Sequence, residues 1–246
     1  MFRIIEKLKA RSENMSEEPP VSFAVFGDSV TQGCFEVNEF PEIGIEPIFE
    51  SKNCYGEKLK QIFSILYPNA PVTLINAGIS GDSAPSGARR IRRDVLSYRP
   101  DLVIVSYGLN DCVKGREGIS EYRQALREIM QACRAENTEM IFMTQNFMCQ
   151  NTENRLTGTM KNIAGVLGRI QKDGVLRDYM SAAKDEAGRL GVPVCDCYTD
   201  WENLAVAGVN TDGLLSNALN HPSRDLHWLF AVRLAELLFH DIRSSI

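Results

Sequence analysis

The 246-residue sequence predicts a single-domain α/β protein, a three-layer sandwich built on a five-stranded parallel sheet. Short apolar runs bounded by turn residues lie at 21–27, 72–76, 101–107, 139–144 and 192–196, and these read as strands. Apolar residues spaced by three and four mark helices at 55–66, 86–98, 119–135, 170–190 and 224–243. Strands that alternate with helices run parallel, joined by right-handed crossovers and covered on both faces. A composition of 44% apolar and 24% charged residues suits one large core. Sites in such folds form beyond the carboxyl ends of the strands.

Taken in order, residues 1–20 read as a loosely held N-terminal extension and residues 21–246 as the domain. The alternative for the extension is a short basic amphipathic helix touching a membrane surface or another subunit. The first strand, Val21 to Phe26, runs into Gly27-Asp28-Ser29 and so places a serine on the loop leaving it. Cys34 to Asn53 then breaks the rhythm. Here Glu36, Glu39, Glu42, Glu46 and Glu50 face a single Lys52 and alternate with Phe35, Phe40, Ile43, Ile45, Ile48 and Phe49. A loop of this length either walls a binding site or is a solvated excursion. Arg89, Arg90, Arg92 and Arg93 cluster on the helix at 86–98, where positions 89 and 93 share a face. That face is either solvated or able to bind an anion. The irregular stretch Asn146 to Gly168 is a second candidate wall. Cys195 and Cys197 end the last strand on one face and are expected in the core. The final helix carries Leu226, Leu229, Phe230, Leu234, Leu237 and Leu238 in one apolar stripe.

Several function classes are disfavoured. A formal charge of −5 argues against a nucleic-acid partner, which is gripped through clustered Lys and Arg. Neither the dinucleotide fingerprint nor the phosphate-loop pattern follows the first strand. Charges interrupt the apolar residues of Met1 to Lys9 before a secretory core forms, and no apolar run is long enough to span a bilayer. The seven cysteines form an odd set without metal-site spacing, which suits reduced thiols. The expectation is a cytoplasmic protein without stable membrane association.

Four segments carry the chemistry. They are Phe26-Gly27-Asp28-Ser29-Val30-Thr31-Gln32-Gly33, Asn76-Ala77-Gly78-Ile79-Ser80-Gly81-Asp82, Gly108-Leu109-Asn110-Asp111 and Asn220-His221-Pro222. Three of them follow apolar runs. In this order they resemble the SGNH (GDSL) hydrolase superfamily, serine esterases and lipases, and the resemblance spans roughly residues 21 to 240. It implies a flavodoxin-like sandwich that hydrolyses small O-acyl esters, acetyl esters on carbohydrate first among them, without a metal or organic cofactor. The partner implied is a small-molecule ester. An acyl-thioesterase or lysophospholipase is the alternative, and a catalytically weak sugar-binding protein on the same fold is another.

The resemblance makes Ser29 the nucleophile and His221 its base. Pro222 holds His221 out of helical geometry, whereas His227 lies in the following helix and His240 near its far end beside Asp241. The oxyanion donors are the Ser29 N–H, the Gly81 N–H and the Asn110 side chain, with Asp28 organising the nucleophile loop. One departure stands out. The family carries an Asp three residues before its histidine, and here that position is Ala218. Orientation of the imidazole falls to Asn217 or to a backbone carbonyl, with Asp212 and Asp225 as further candidates.

Overall fold

The computed structural model describes residues 1–40, 42 and 44–240. In chain order the elements are α1 (Arg3–Glu13), β1 (Val21–Gly27), α2 (Ser29–Gln32), β2 (Cys34–Phe40), β3 (Gly44–Phe49), α3 (Tyr55–Leu66), β4 (Val72–Gly78), α4 (Ala84–Asp94), β5 (Leu102–Ser106), α5 (Ile119–Ala135), β6 (Glu139–Met143), α6 (Gly158–Lys172), α7 (Val175–Leu190), β7 (Val194–Cys195), α8 (Cys197–Val206) and α9 (Leu226–Phe239). The main sheet has five parallel strands in the order β4-β1-β5-β6-β7, the flavodoxin-like winding.

Burial explains the sequence of the central strands. Leu102, Val103, Ile104 and Val105 are all fully buried, because helices cover both faces and leave no position for a polar side chain. On one face Phe23 meets Phe63 of α3 edge to face at 5.6 Å. α2 nests against the end of β4. A Cβ added at Gly78 would lie 2.3 Å from the Gln32 amide nitrogen, so only glycine permits that approach.

Several expectations are corrected. The N-terminal extension is not loose: it forms α1, whose Ile4, Ile5 and Leu8 are buried in the core. Glu139 accepts from the Arg3 and Ile4 amides at 2.8 and 3.1 Å, completing the start of that helix. The segment from Cys34 to Asn53 is an antiparallel hairpin, β2 with β3, forming its own two-stranded sheet. Pro41 and Ile43 at its tip lie outside the described residues. The helix expected at 170–190 is two helices, α6 and α7, broken where Gly174 takes a left-handed φ of 72°. α6 begins within the stretch expected to be irregular, and Glu39 of the hairpin accepts from its Thr159 and Met160 amides at 3.0 and 3.3 Å. The last strand is short because Asp196 turns the chain into α8, accepting from the Thr199 amide at 3.3 Å. α9 runs to Phe239, and residues 241–243 of the expected helix, with Asp241, lie outside the described residues. Among the described residues no helix is long and apolar enough to cross a membrane.

Candidate active site

β1 lies between β4 and β5, so the loops carrying Ser29, Gly81 and Asn110 emerge side by side at the carboxyl end of the sheet. Asp28 starts α2: its Oδ1 accepts from the Val30 amide at 3.0 Å and its Oδ2 from Gln145 Nε2 at 3.0 Å. Burial pushes the Asp28 carboxyl up to about 7, against the opposing pull of the Val30 amide. Ser29 is thereby fixed at the first helical position, where a backbone N–H has no partner within the helix.

Ser29 Oγ lies 2.9 Å from His221 Nε2, and His221 Nδ1 lies 3.1 Å from the carbonyl oxygen of Phe35. A carbonyl only accepts, so Nδ1 carries the proton and Nε2 presents its lone pair to the serine. Burial pulls the imidazole down to about 4, against a raising effect of the Phe35 carbonyl and Glu36. His221 is therefore neutral at pH 7 and able to take a proton.

Phe35 owes its free carbonyl to a β-bulge. Cys34 pairs with Phe49 and Val37 with Pro47, so three steps along β2 match two along β3. Gly33, left-handed at φ 92°, turns the chain from α2 into this strand. Ser29 and the carbonyl that faces His221 Nδ1 thus come from one continuous turn.

The other expected orienting groups face elsewhere. Asn217 does not touch the ring: its Oδ1 accepts from the Leu219, Asn220 and His221 amides, each at 3.0 Å, and so builds the histidine loop. Asp212 accepts from the Gln150 and Asn151 amides at 2.6 and 3.0 Å. Asp225 stands at the start of α9 without a capping bond of its own. Ala218, at the position of the family's acid, is buried with a left-handed φ of 56°. His227 is buried and accepts from the Tyr55 amide at 3.0 Å, while His240 is exposed at the end of α9.

Gly81 has a φ of 77° and open space where a side chain would project. Asn110 Nδ2 donates to the Asp82 carbonyl at 2.8 Å, which joins the Gly81 loop to the loop after β5 and leaves the second amide hydrogen free for a ligand. Beneath both loops lies Arg90, turned inward from the arginine cluster. It donates to Asp82 Oδ2 at 2.7 Å, to the Ala77 and Gly27 carbonyls at 2.8 and 3.1 Å, and to the Tyr107 hydroxyl at 2.8 Å. Its guanidinium also sits 4.3 Å from the Phe26 ring centroid. Arg92 and Arg93 pair outward with Glu136 and Asp94 and Arg89 is exposed, the arrangement of a solvated face. Sequence reasoning passed over Arg90 because periodicity alone does not separate it from its exposed neighbours. A backbone carbonyl was among the expected orienting groups, but no residue type signals that it belongs to Phe35.

The model of the GDSL-like lipase/acylhydrolase family matches residues 25–229. The chain belongs to this family. Three similar proteins may be compared with this GDSL-family chain. Thioesterase 1/protease 1/lysophospholipase L1 of Escherichia coli K12 is 26% identical over 174 residues, covering 69% of this chain and 70% of its own. Two solved structures share the fold. An alpha/beta hydrolase from the metagenome of Lake Arreo, Spain, is 20% identical with a TM-score of 0.65, covering 88% of this chain and 94% of its own. An acetylxylan esterase of Geobacillus stearothermophilus is 18% identical with a TM-score of 0.65, covering 89% and 94%. The GDSL-family chain is a serine hydrolase of small acyl esters, and its Ser29–His221 contact has the geometry that this activity needs.

Proposed function

We propose that the protein removes small acyl groups, acetyl first, from carbohydrate esters, using a Ser29–His221 dyad oriented by the Phe35 carbonyl. The observation that carries the dyad is the pair of contacts on one imidazole, 2.9 Å to Ser29 Oγ and 3.1 Å to the Phe35 oxygen. Ser29 Oγ attacks the ester carbonyl carbon as its proton passes to His221 Nε2. The oxyanion that forms is held by the Ser29 and Gly81 N–H groups and Asn110 Nδ2, donors fixed before the charge develops. Collapse breaks the bond to the leaving alcohol, which takes the proton from Nε2. Water then attacks the acyl-enzyme by the same route and restores Ser29. Throughout, Nδ1–H stays on the Phe35 carbonyl, which fixes tautomer and ring orientation but brings no full negative charge to the imidazolium.

The carbohydrate reading draws on the likeness to acetylxylan esterase. The acidic hairpin contributes less to it than its composition suggests. Glu36 and Glu50 share the single positive charge of Arg224 and Glu39 caps α6, so part of the hairpin's acidity is engaged within the fold. The likeness to the E. coli thioesterase and lysophospholipase supports a second reading, acyl chains, as do the exposed Phe40, Ile45 and Phe49 of the same hairpin. A series of p-nitrophenyl esters from acetate to palmitate, run beside acetylated xylo-oligosaccharides, separates them. Turnover highest on acetate and on the acetylated sugar is expected, and a maximum at long chains would move the assignment to acyl thioesters or lysophospholipids. An organophosphorus probe should label Ser29 and lose its target in Ser29→Ala.

A further inference from the structure

We propose that Arg224 is a positioning residue for catalysis, acting through the main chain of Phe35. The inference rests on the dyad described above. The imidazole is oriented by a carbonyl on β2, and the hairpin of β2 and β3 forms no ladder with the main sheet among the described residues. Phe35 itself is buried, but β2 beyond it is only partly buried and β3 is mostly exposed, so the placing of the Phe35 main chain calls for a further anchor beside the Glu39 contact with α6.

Arg224 supplies it. Its Nη1 and Nη2 donate to the two Glu36 carboxylate oxygens at 2.6 and 2.8 Å. Its Nε donates to Glu50 Oε2 at 2.8 Å, and Nη2 also reaches Glu50 Oε1. Glu36 directly follows Phe35 on β2, and Glu50 directly follows β3, so one planar fork gathers both strands. The same guanidinium lies 4.6 Å from the centroid of the Phe35 ring, which also meets His227 at 5.0 Å.

The other end of the clamp is equally fixed. Arg224 is three residues beyond His221, and the chain between them is held by a bridge of Leu215 with Pro222. The Ser216 amide donates to the His221 carbonyl at 2.8 Å and the Ser223 amide to the Leu214 carbonyl at 2.8 Å. The clamp therefore sets how far the Phe35 oxygen stands from His221 Nδ1. Without it the hairpin keeps only the buried Phe35 ring and the Glu39 contact with α6, the Phe35 main chain can shift, and Nδ1–H loses the fixed acceptor that selects its tautomer. A displacement near 1 Å in such a group costs about a hundredfold in rate.

The test uses Arg224→Ala, Arg224→Lys, a Glu36→Gln and Glu50→Gln double variant, and Ser29→Ala, with kcat and KM on p-nitrophenyl acetate and thermal unfolding for each. Arg224→Ala should lose kcat by about 30- to 100-fold with KM within about threefold. Lysine keeps the charge but cannot fork to two carboxylates, so Arg224→Lys should fall between Arg224→Ala and the parent. The glutamine pair keeps shape while removing charge, and should reproduce the kcat loss even if Arg224→Ala fails to fold. A kcat within about threefold of the parent in the glutamine pair or in Arg224→Ala, with Ser29→Ala inactive, overturns the clamp and leaves the dyad standing. A rise in KM at unchanged kcat also overturns it, making Arg224 a substrate-binding residue. Activity retained by Ser29→Ala would instead overturn the dyad on which the proposal rests.

Discussion

Two arginines hold loops at this site, and they do it in opposite surroundings. Arg90 lies beneath the Ser29, Gly81 and Asn110 loops with 7% of its side chain exposed, paired to an Asp82 that is 5% exposed. Arg224 stands at the rim with 34% exposed, paired to Glu36 and Glu50 at 32% and 36%. A buried ion pair is coupled to the fold, because removing one partner strands the other charge away from water. An exposed cluster contributes little to stability but can still fix geometry. The sheet end of the site is thus held by a buried ion pair, and the hairpin end by the buried Phe35 ring together with surface charge.

The largest effect is expected at the contact both arginines serve. Ser29→Ala and His221→Ala should each lower kcat by about four orders of magnitude or more, and the double variant should be no slower than the worse single, since the pair acts as one unit. Folding should survive in all three. Arg90→Ala should act differently, destabilising the protein by about 3–5 kcal/mol as the Asp82 carboxylate is left buried and unpaired. Chemical denaturation measures this; a loss below about 1 kcal/mol would put Arg90 in the same class as Arg224. Asn110→Ala removes a donor that both loops share, and should lower kcat by about a hundred- to a thousandfold with KM little changed.

A smaller effect sharpens the hairpin side. Burial holds His221 near 4 and His227 near 3, both below the ordinary histidine value of 6.5. The unfolded chain therefore binds more protons than the folded one once pH drops below 6.5, and stability falls with pH from there down to those values. For His221 the loss between pH 6.5 and 4 is about 3 kcal/mol, and His227→Gln should flatten the measured curve by a similar amount. The smallest effect is expected at position 218. Ala218→Asp restores the family's acid in sequence, yet should give no gain in kcat, because Nδ1–H already has the Phe35 carbonyl.

The same contrast governs what could be read from the chain. All five strands of the main sheet and the helices α3 and α5 follow from apolar periodicity, most plainly β5, where burial dictates every residue. Ser29 and His221 were legible through motif and through Pro222. The hairpin was not, although Glu36, Glu39 and Glu50 are the residues that place it, because charges on a loop give no sign of their partners until the chain is folded. α1 stood only as the alternative to a loose extension, for a related reason. Its buried face consists of only Ile4, Ile5 and Leu8 among basic residues, too short a stripe to stand out. Asn217 was misread since an amide near a histidine in sequence can serve either the ring or the loop, and here it serves the loop.

In the proposed mechanism a carbonyl, not a carboxylate, orients the catalytic imidazole. Nitrogen NMR of the protein labelled at histidine, titrated from pH 8 to 3 with His221→Ala to assign the signals, reads this directly. The expected result is a neutral His221 ring protonated at Nδ1, taking up its second proton only near pH 4. A ring protonated at Nε2, or one titrating near pH 7 as beside a carboxylate, would contradict it.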